Sequence, residues 1–183
     1  MKIVLGLGNI GKEYEKTNHN VGFLVVDKTL AKLGISKHKE MCNGMVYEAN
    51  IDGEKVYFVK PTTYMNNSGM CLSSVLSKLN ASLSDCLIVV DDIDLPVGSV
   101  RIRKTGSAGT HNGLRSLVSL CGQDFARIRV GIDKPINGDL ISHVLGKMPK
   151  SEEFENSIEK AVDAVIEYVH GASLDAIMQK YNG

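Results

Sequence analysis

The side chains with chemistry to offer in this sequence stand where its apolar runs stop. Asn9 follows Lys2-Ile3-Val4-Leu5 and a glycine-bearing turn, and His19-Asn20 lies ten residues further on. Thr62-Thr63-Tyr64-Met65-Asn66-Asn67-Ser68 follows the run that ends at Lys60-Pro61. Asp91, Asp92 and Asp94 follow Cys86-Leu87-Ile88-Val89-Val90, and His111-Asn112-Gly113 opens a later helical pattern. Sites in open α/β sheets form just outside the carboxyl ends of the strands. Taken singly, each group has a structural use: Asn9 and Asn20 in turns, Asn67 or Ser68 as helix caps, Asp91 at a corner. Their recurrence at successive strand ends marks them as a candidate site.

The set points to hydrolysis by an activated water. The sequence has no G-x-S-x-G elbow, no cysteine in a comparable glycine-rich turn, and no histidine pair at metal-ligand spacing. What remains is a histidine as general base, a carboxylate to orient it, and amide donors to hold the substrate. His19 and His111 are the candidate bases; His38, His143 and His170 have no partner that spacing identifies. Imidazole suits the role because it titrates near physiological pH. Asp91 would fix its tautomer and stabilise the imidazolium, and an asparagine N–H beside the reacting carbonyl would stabilise the oxyanion. The expectation includes no cofactor and no metal.

Bringing these groups together requires strands and helices in alternation. Residues 1–5 read as a short buried strand, and 23–33 as a helix stopped by Gly34. Residues 45–51 and 54–60 flank Asp52-Gly53, a hairpin turn. Leu72, Val75, Leu76 and Leu79 form one stripe of a helix over 68–79. Residues 86–90 are apolar throughout, as in a strand buried on both faces. Arg101 and Arg103 share a face of a strand over 99–104. A glycine-bearing loop over 105–110, a helix over about 111–121 and a strand over 126–132 follow. Pro135, Asn137-Gly138, Gly146 and Pro149 break up 133–150, which reads as irregular; helices over about 154–169 and 173–181 close the chain. With no repeat or linker, residues 1–183 read as a single α/β domain with a mixed, mainly parallel twisted sheet flanked by helices.

Gly6-Leu7-Gly8-Asn9-Ile10-Gly11 spells the dinucleotide fingerprint, but its setting is wrong. That motif opens directly into a helix whose N-terminus faces the pyrophosphate. Here a polar stretch from Lys12 to Asn20 intervenes, and the next strand is a hairpin arm without a ribose-binding acid. The glycines are expected instead to turn the backbone sharply, so that Asn9 and His19 face one cleft.

Composition is that of an ordinary globular protein, 43% apolar and 23% charged. No apolar run approaches a membrane span, and the start of the sequence lacks signal-peptide character, so no membrane partner and a cytoplasmic location are expected. Cys42, Cys71, Cys86 and Cys121 form no C-x-x-C pair and read as core residues. The 21 basic and 21 acidic residues cancel overall but not locally. Residues 97–134 hold seven cations against two acids, and residues 151–183 hold two against seven. A basic middle is suited to phosphate.

Several segments, in order, resemble the bacterial-type peptidyl-tRNA hydrolase family. They are Gly6-Leu7-Gly8-Asn9 with Gly11, Tyr14 and His19-Asn20-Val21-Gly22; Pro61-Thr62-Thr63-Tyr64-Met65-Asn66 with Ser68-Gly69; Asp91-Asp92-Ile93-Asp94-Leu95-Pro96 with Gly98; Gly109-Thr110-His111-Asn112-Gly113-Leu114; Arg127-Ile128-Arg129-Val130-Gly131-Ile132; and Val144-Leu145-Gly146-Lys147. The resemblance implies a phosphorylase/hydrolase-like fold and cleavage of the ester between a peptide and the 3′ ribose of tRNA, recycling tRNA from stalled translation. It implies His19 as the base on water, Asp91 as its support, and Asn9 as the group that distinguishes N-blocked from free aminoacyl substrates, with His111 structural. Tyr14, Tyr64, Asn66 and Asn112 would contact the tRNA 3′ end or the ester, Met65 would line the cleft, and Arg103 and Arg129 would clamp the 5′ phosphate. The expected partner is peptidyl-tRNA, bound by a monomer. A tRNA- or RNA-binding protein without turnover is the alternative, disfavoured by the presence of both His19 and Asp91. Ile10, Asn18 and Thr110 depart from the family's usual residues, which bears on rate and loop mobility rather than on the reaction.

Overall fold

Seven strands form one sheet in the structure, a computed structural model that describes residues 1–182. The strands are β1 (Lys2–Gly6), β2 (Lys39–Met41), β3 (Gly44–Ile51), β4 (Glu54–Pro61), β5 (Cys86–Asp92), β6 (Val100–Arg103) and β7 (Ala126–Gly131). Their spatial order is β2-β3-β4-β1-β5-β7-β6. The inner four, β4-β1-β5-β7, are parallel. β3 and β6 add antiparallel arms on either side, and β2 pairs antiparallel with β3. Six α-helices accompany it among the described residues: α1 (Val21–Leu33), α2 (Ser68–Leu79), α3 (Asn112–Cys121), α4 (Leu140–Val144), α5 (Glu152–Val169) and α6 (Leu174–Tyr181). This is the mixed, mainly parallel architecture that the alternating pattern predicts.

Period-two alternation divides the strand side chains between two cores. Val4, Leu87 and Val89 pack with Val21, Val25 and Val26 of α1 and with Phe154, Ile158, Val162 and Val165 of α5. Ile3, Leu5, Ile88 and Val90 pack with Leu72 and Val75 of α2 and with Leu114 and Leu117 of α3. Both faces of β1 and β5 are therefore buried, which is why their sequences are apolar without interruption. The β3–β4 hairpin turns on Asp52 and Gly53, both at positive φ (53° and 83°), as a two-residue turn of matching twist requires.

Three features depart from the sequence expectation. β2 is a three-residue edge strand of mostly polar residues, held on β3 through a turn with Cys42 and Asn43 at φ 56° and 55°; it is too short and too polar to announce itself by alternation. The irregular 133–150 stretch contains α4, capped by Asp139, whose carboxylate accepts from the Ser142 amide. The glycines of the opening motif act chiefly by close approach rather than by turning, since among Gly6, Gly8 and Gly11 only Gly11 has positive φ (119°). A Cβ on Gly8 would sit 2.6 Å from the Phe23 ring, and one on Gly22 would sit 2.5 Å from Leu7 N, Leu7 O and Val89 O. Gly22 thereby seats the start of α1 directly against the ends of β1 and β5.

The β6 edge is closed by the C-terminal end of the chain. Asn182 accepts from the Ile102 amide through Oδ1 (2.6 Å) and donates to the Ile102 carbonyl through Nδ2 (3.0 Å), while Arg101 donates to the Asn182 carbonyl. No helix is long and apolar enough to cross a membrane among the described residues.

Candidate active site

Asp91 is the centre of the site. It ends the apolar run of β5 and takes the next position in the alternation of Leu87 and Val89, the face on which α1 packs. A short 3₁₀ turn, Asn18–Asn20, leads into α1 and holds His19 over the carboxylate. His19 Nδ1 lies 2.9 Å from Asp91 Oδ2, and His111 Nε2, at the N-cap of α3, lies 2.8 Å from Asp91 Oδ1. The two rings lie 4.7 Å apart. Burial by itself pushes the Asp91 carboxyl up; charge interaction with His111 and His19, and their hydrogen bonds, outweigh it and hold the group well below the usual carboxylate range.

The two imidazoles are not equivalent. His111 Nδ1 accepts from the Leu114 amide at 3.2 Å, so its proton is on Nε2, donated to Asp91, and both of its nitrogens are engaged. His19 uses only Nδ1; its Nε2 has no partner among the described residues. A neutral His19 that donates Nδ1–H to Asp91 has a free lone pair on Nε2. His19, Asp91 and His111 bring one ligand atom each within 4.8 Å of one another, but with both facing nitrogens donating N–H to Asp91 the three are joined as a hydrogen-bonded triad.

Asn9 is fixed from two sides. Asn20 accepts from the Asn9 amide (2.8 Å) and donates to the Asn9 carbonyl (2.9 Å), and Asn9 Oδ1 accepts from the Met65 amide (2.7 Å). Its Nδ2 makes no hydrogen bond among the described residues, leaving that donor directed by the fold and unspent. The Met65 amide reaches Asn9 because Tyr64 adopts φ 60° and ψ 162°, a conformation that costs a non-glycine residue about 1–3 kcal/mol. The same turn leaves the Tyr64 side chain exposed, 6.4 Å edge-on from Tyr14.

A cleft of about 300 Å³ opens beside these groups, lined among others by His19, Asp91, Arg103, Asn112 and Arg129. A family model described as peptidyl-tRNA hydrolase matches residues 3–183 of this sequence. The chain belongs to the peptidyl-tRNA hydrolase family. Among curated relatives, the peptidyl-tRNA hydrolases of Listeria welshimeri and Pediococcus pentosaceus are 45% and 43% identical to it, each over the whole of both chains. The crystal structure of the peptidyl-tRNA hydrolase from Acinetobacter baumannii superposes with a TM-score of 0.93 at 33% identity, covering 100% of this chain and 95% of that one.

Against that family background, the residues singled out by sequence fall into two groups around His19. Asp91, Arg103, Asn112 and Arg129 line the cleft with it. Asn9, Met65, Tyr64 and Tyr14 form a second cluster joined by the Asn9–Met65 bond and the tyrosine contact. Asn66 follows Met65 in a 3₁₀ turn and is exposed. Arg129 does not stand free, because it is ion-paired to Asp92.

The contacts of three residues escape the sequence reading. Asn20, legible only as a turn residue, brackets the Asn9 backbone as a strand residue would. Asp92 tethers Arg129. Arg127 is 2% exposed yet lines the cleft, donating to the carbonyls of Ser107, Gln123 and Phe125 and lying 4.0 Å over the Phe125 ring. Burial, with Arg129 nearby, lowers its guanidinium pKa to about 10. Its position in phase with Arg129 on β7 is the one signal in the sequence. His143 and His170, without partners by spacing, contact the Ile132 and Asp133 carbonyls and the Asp52 carboxylate respectively.

Proposed function

We propose that His19 is the general base with which this member of the peptidyl-tRNA hydrolase family cleaves the ester of peptidyl-tRNA. The unpartnered Nε2 of His19, set against the fully engaged His111, carries the assignment. Nε2 removes a proton from water as the oxygen attacks the ester carbonyl, and the Nδ1–H bond to Asp91 steadies the imidazolium that forms. The tetrahedral intermediate collapses by expelling the 3′ ribose oxygen, which takes the proton from the His19 imidazolium and so restores the base, leaving free peptide and tRNA. An ester needs no stronger nucleophile than an activated water.

Asn9 Nδ2, the unspent donor, is suited to the carbonyl of an N-blocked residue, so Asn9 is the discriminating group. Tyr14 and Tyr64 offer ring faces to the unpaired 3′ end, and Met65, Asn66 and Asn112 border the ester. Arg103 and Arg129 receive the 5′ phosphate, with Arg129 exchanging Asp92 for the ligand. Action as a monomer in the cytoplasm, where translation supplies the substrate, belongs to the same reading.

The test is release of an N-acetylated amino acid from charged tRNA, with unblocked aminoacyl-tRNA as control. Wild type should act on the first far better than on the second. His19→Ala should lose activity by about 10²–10⁴-fold while still binding tRNA; near-normal kcat in that variant would refute the assignment.

A further inference from the structure

We propose that Asn18 is a positioning residue that latches the roof of the cleft, α4, to the turn carrying the base; the inference rests on His19 being that base. Leu140 and Val144 of α4 line the cleft together with His19. None of the five residues of α4 is buried and Ile141 is 71% exposed; Val144 packs against the main core, so apolar packing holds this helix at one end only. Polar bonds hold the rest. The Asn18 side chain, itself only 4% exposed, donates from Nδ2 to the His143 carbonyl at 2.9 Å, and the Asn18 amide donates to the Gly146 carbonyl at 2.9 Å. Thr17 bridges Lys147, and the Met148 amide donates to the Lys16 carbonyl at 2.8 Å. At the other side, His143 Nε2 lies 2.8 Å from the carbonyls of Ile132 and Asp133, just past the end of β7.

Asn18 is the one side chain in this set that comes from the base-bearing turn and reaches α4. It adjoins His19 in the chain, so the roof is tied to the base-bearing turn itself, while Asp91 holds the base. The contact is not needed to satisfy the His143 carbonyl, which also accepts from the Gly146 amide at 3.1 Å. Asn18 Oδ1 is buried and accepts no hydrogen bond among the described residues. An asparagine whose acceptor is left unused is a poor device for stability, and its donor accounts for its place here.

The decisive variant is Asn18→Leu, which removes the latch donor and the unsatisfied acceptor together at nearly constant shape, with Asn18→Ala as a second. Two measurements are made: steady-state kinetics on N-acetylaminoacyl-tRNA, and amide hydrogen exchange of residues 140–148 without substrate. The expected result is a rise in KM of about three- to tenfold, the range spanned by one net hydrogen bond, with kcat changed less than twofold. Exchange over 140–148 should accelerate by a similar factor while the Tm of Asn18→Leu stays at or above wild type. Unchanged exchange over 140–148 overturns the latch, whatever the kinetics. Faster exchange with unchanged KM overturns its role in the cleft. Inactive wild type with faster exchange in the variants would refute the hydrolase reading and leave the latch standing.

Discussion

At the level of single residues, the site is organised by one carboxylate shared between two imidazoles of different status. His111 is spent on the α3 N-cap and on Asp91, and His19 keeps one nitrogen open. Asp91→Asn retains the shape but offers an amide N–H to at least one ring nitrogen, which favours the wrong tautomer of His19. Its kcat is expected to fall by about 10²–10⁴-fold with a smaller change in KM, measured on N-acetylaminoacyl-tRNA. Asp91 also bears on acid stability. Its folded pKa is depressed, so its contribution is fully present above the unfolded value of about 3.9 and fades as pH falls towards the folded value. Denaturant titrations of wild type should therefore lose stability below about pH 4 more steeply than those of Asp91→Asn. His19, Asp91 and Asn9 are legible in sequence because polar residues interrupt apolar runs where strands end. The difference in hydrogen bonding between His19 and His111 is not legible in spacing, because it turns on which ring nitrogen meets the Leu114 amide; only the family resemblance separates the two.

Among the elements, the seating of α1 matters most. Gly22 lets the helix start touch Leu7 and Val89, and this contact brings the preceding turn, with His19, to the end of β5. Gly22→Ala would drive a methyl group to within 2.5 Å of three backbone atoms, two of Leu7 and one of Val89. Backbone cannot swing aside as a side chain does, so a loss of more than about 3 kcal/mol is expected, seen in the urea midpoint or as failure to fold. The glycine pattern is visible in the sequence, and so is its mismatch with a dinucleotide site. That its members serve close packing more than turning is not visible, since the atoms they admit come from residues distant in the chain. β2 and α4 are hidden for a simpler reason: segments of three and five residues are too short to develop a period.

For the molecule as a whole, charge is sorted along the chain, with cations concentrated from β6 through β7 and acids in α5 and α6. Arg103 opens on the cleft and has no ion-pair partner among the described residues, whereas Arg129 is already matched by Asp92. Arg103→Ala should lower the magnitude of the slope of log K against log salt by about 0.7–0.9, the contribution of one phosphate contact, in tRNA-binding titrations. The overall fold was the most legible scale, because the alternation of buried strands and striped helices extends through most of the sequence.

The Asn182 amide, which completes the hydrogen bonding of Ile102, has a consequence away from the site. A sheet whose last strand shows open N–H and C=O groups invites another chain to pair with it, and that is a route to aggregation. Here the protein supplies the Asn182 side chain as a stopper, so the β6 edge offers no template at Ile102. Asn182→Ala would unplug it, and faster growth of light scattering in concentrated, otherwise folded protein is the expected sign. Solubility, for this sheet, is written in a side chain next to the end of the chain.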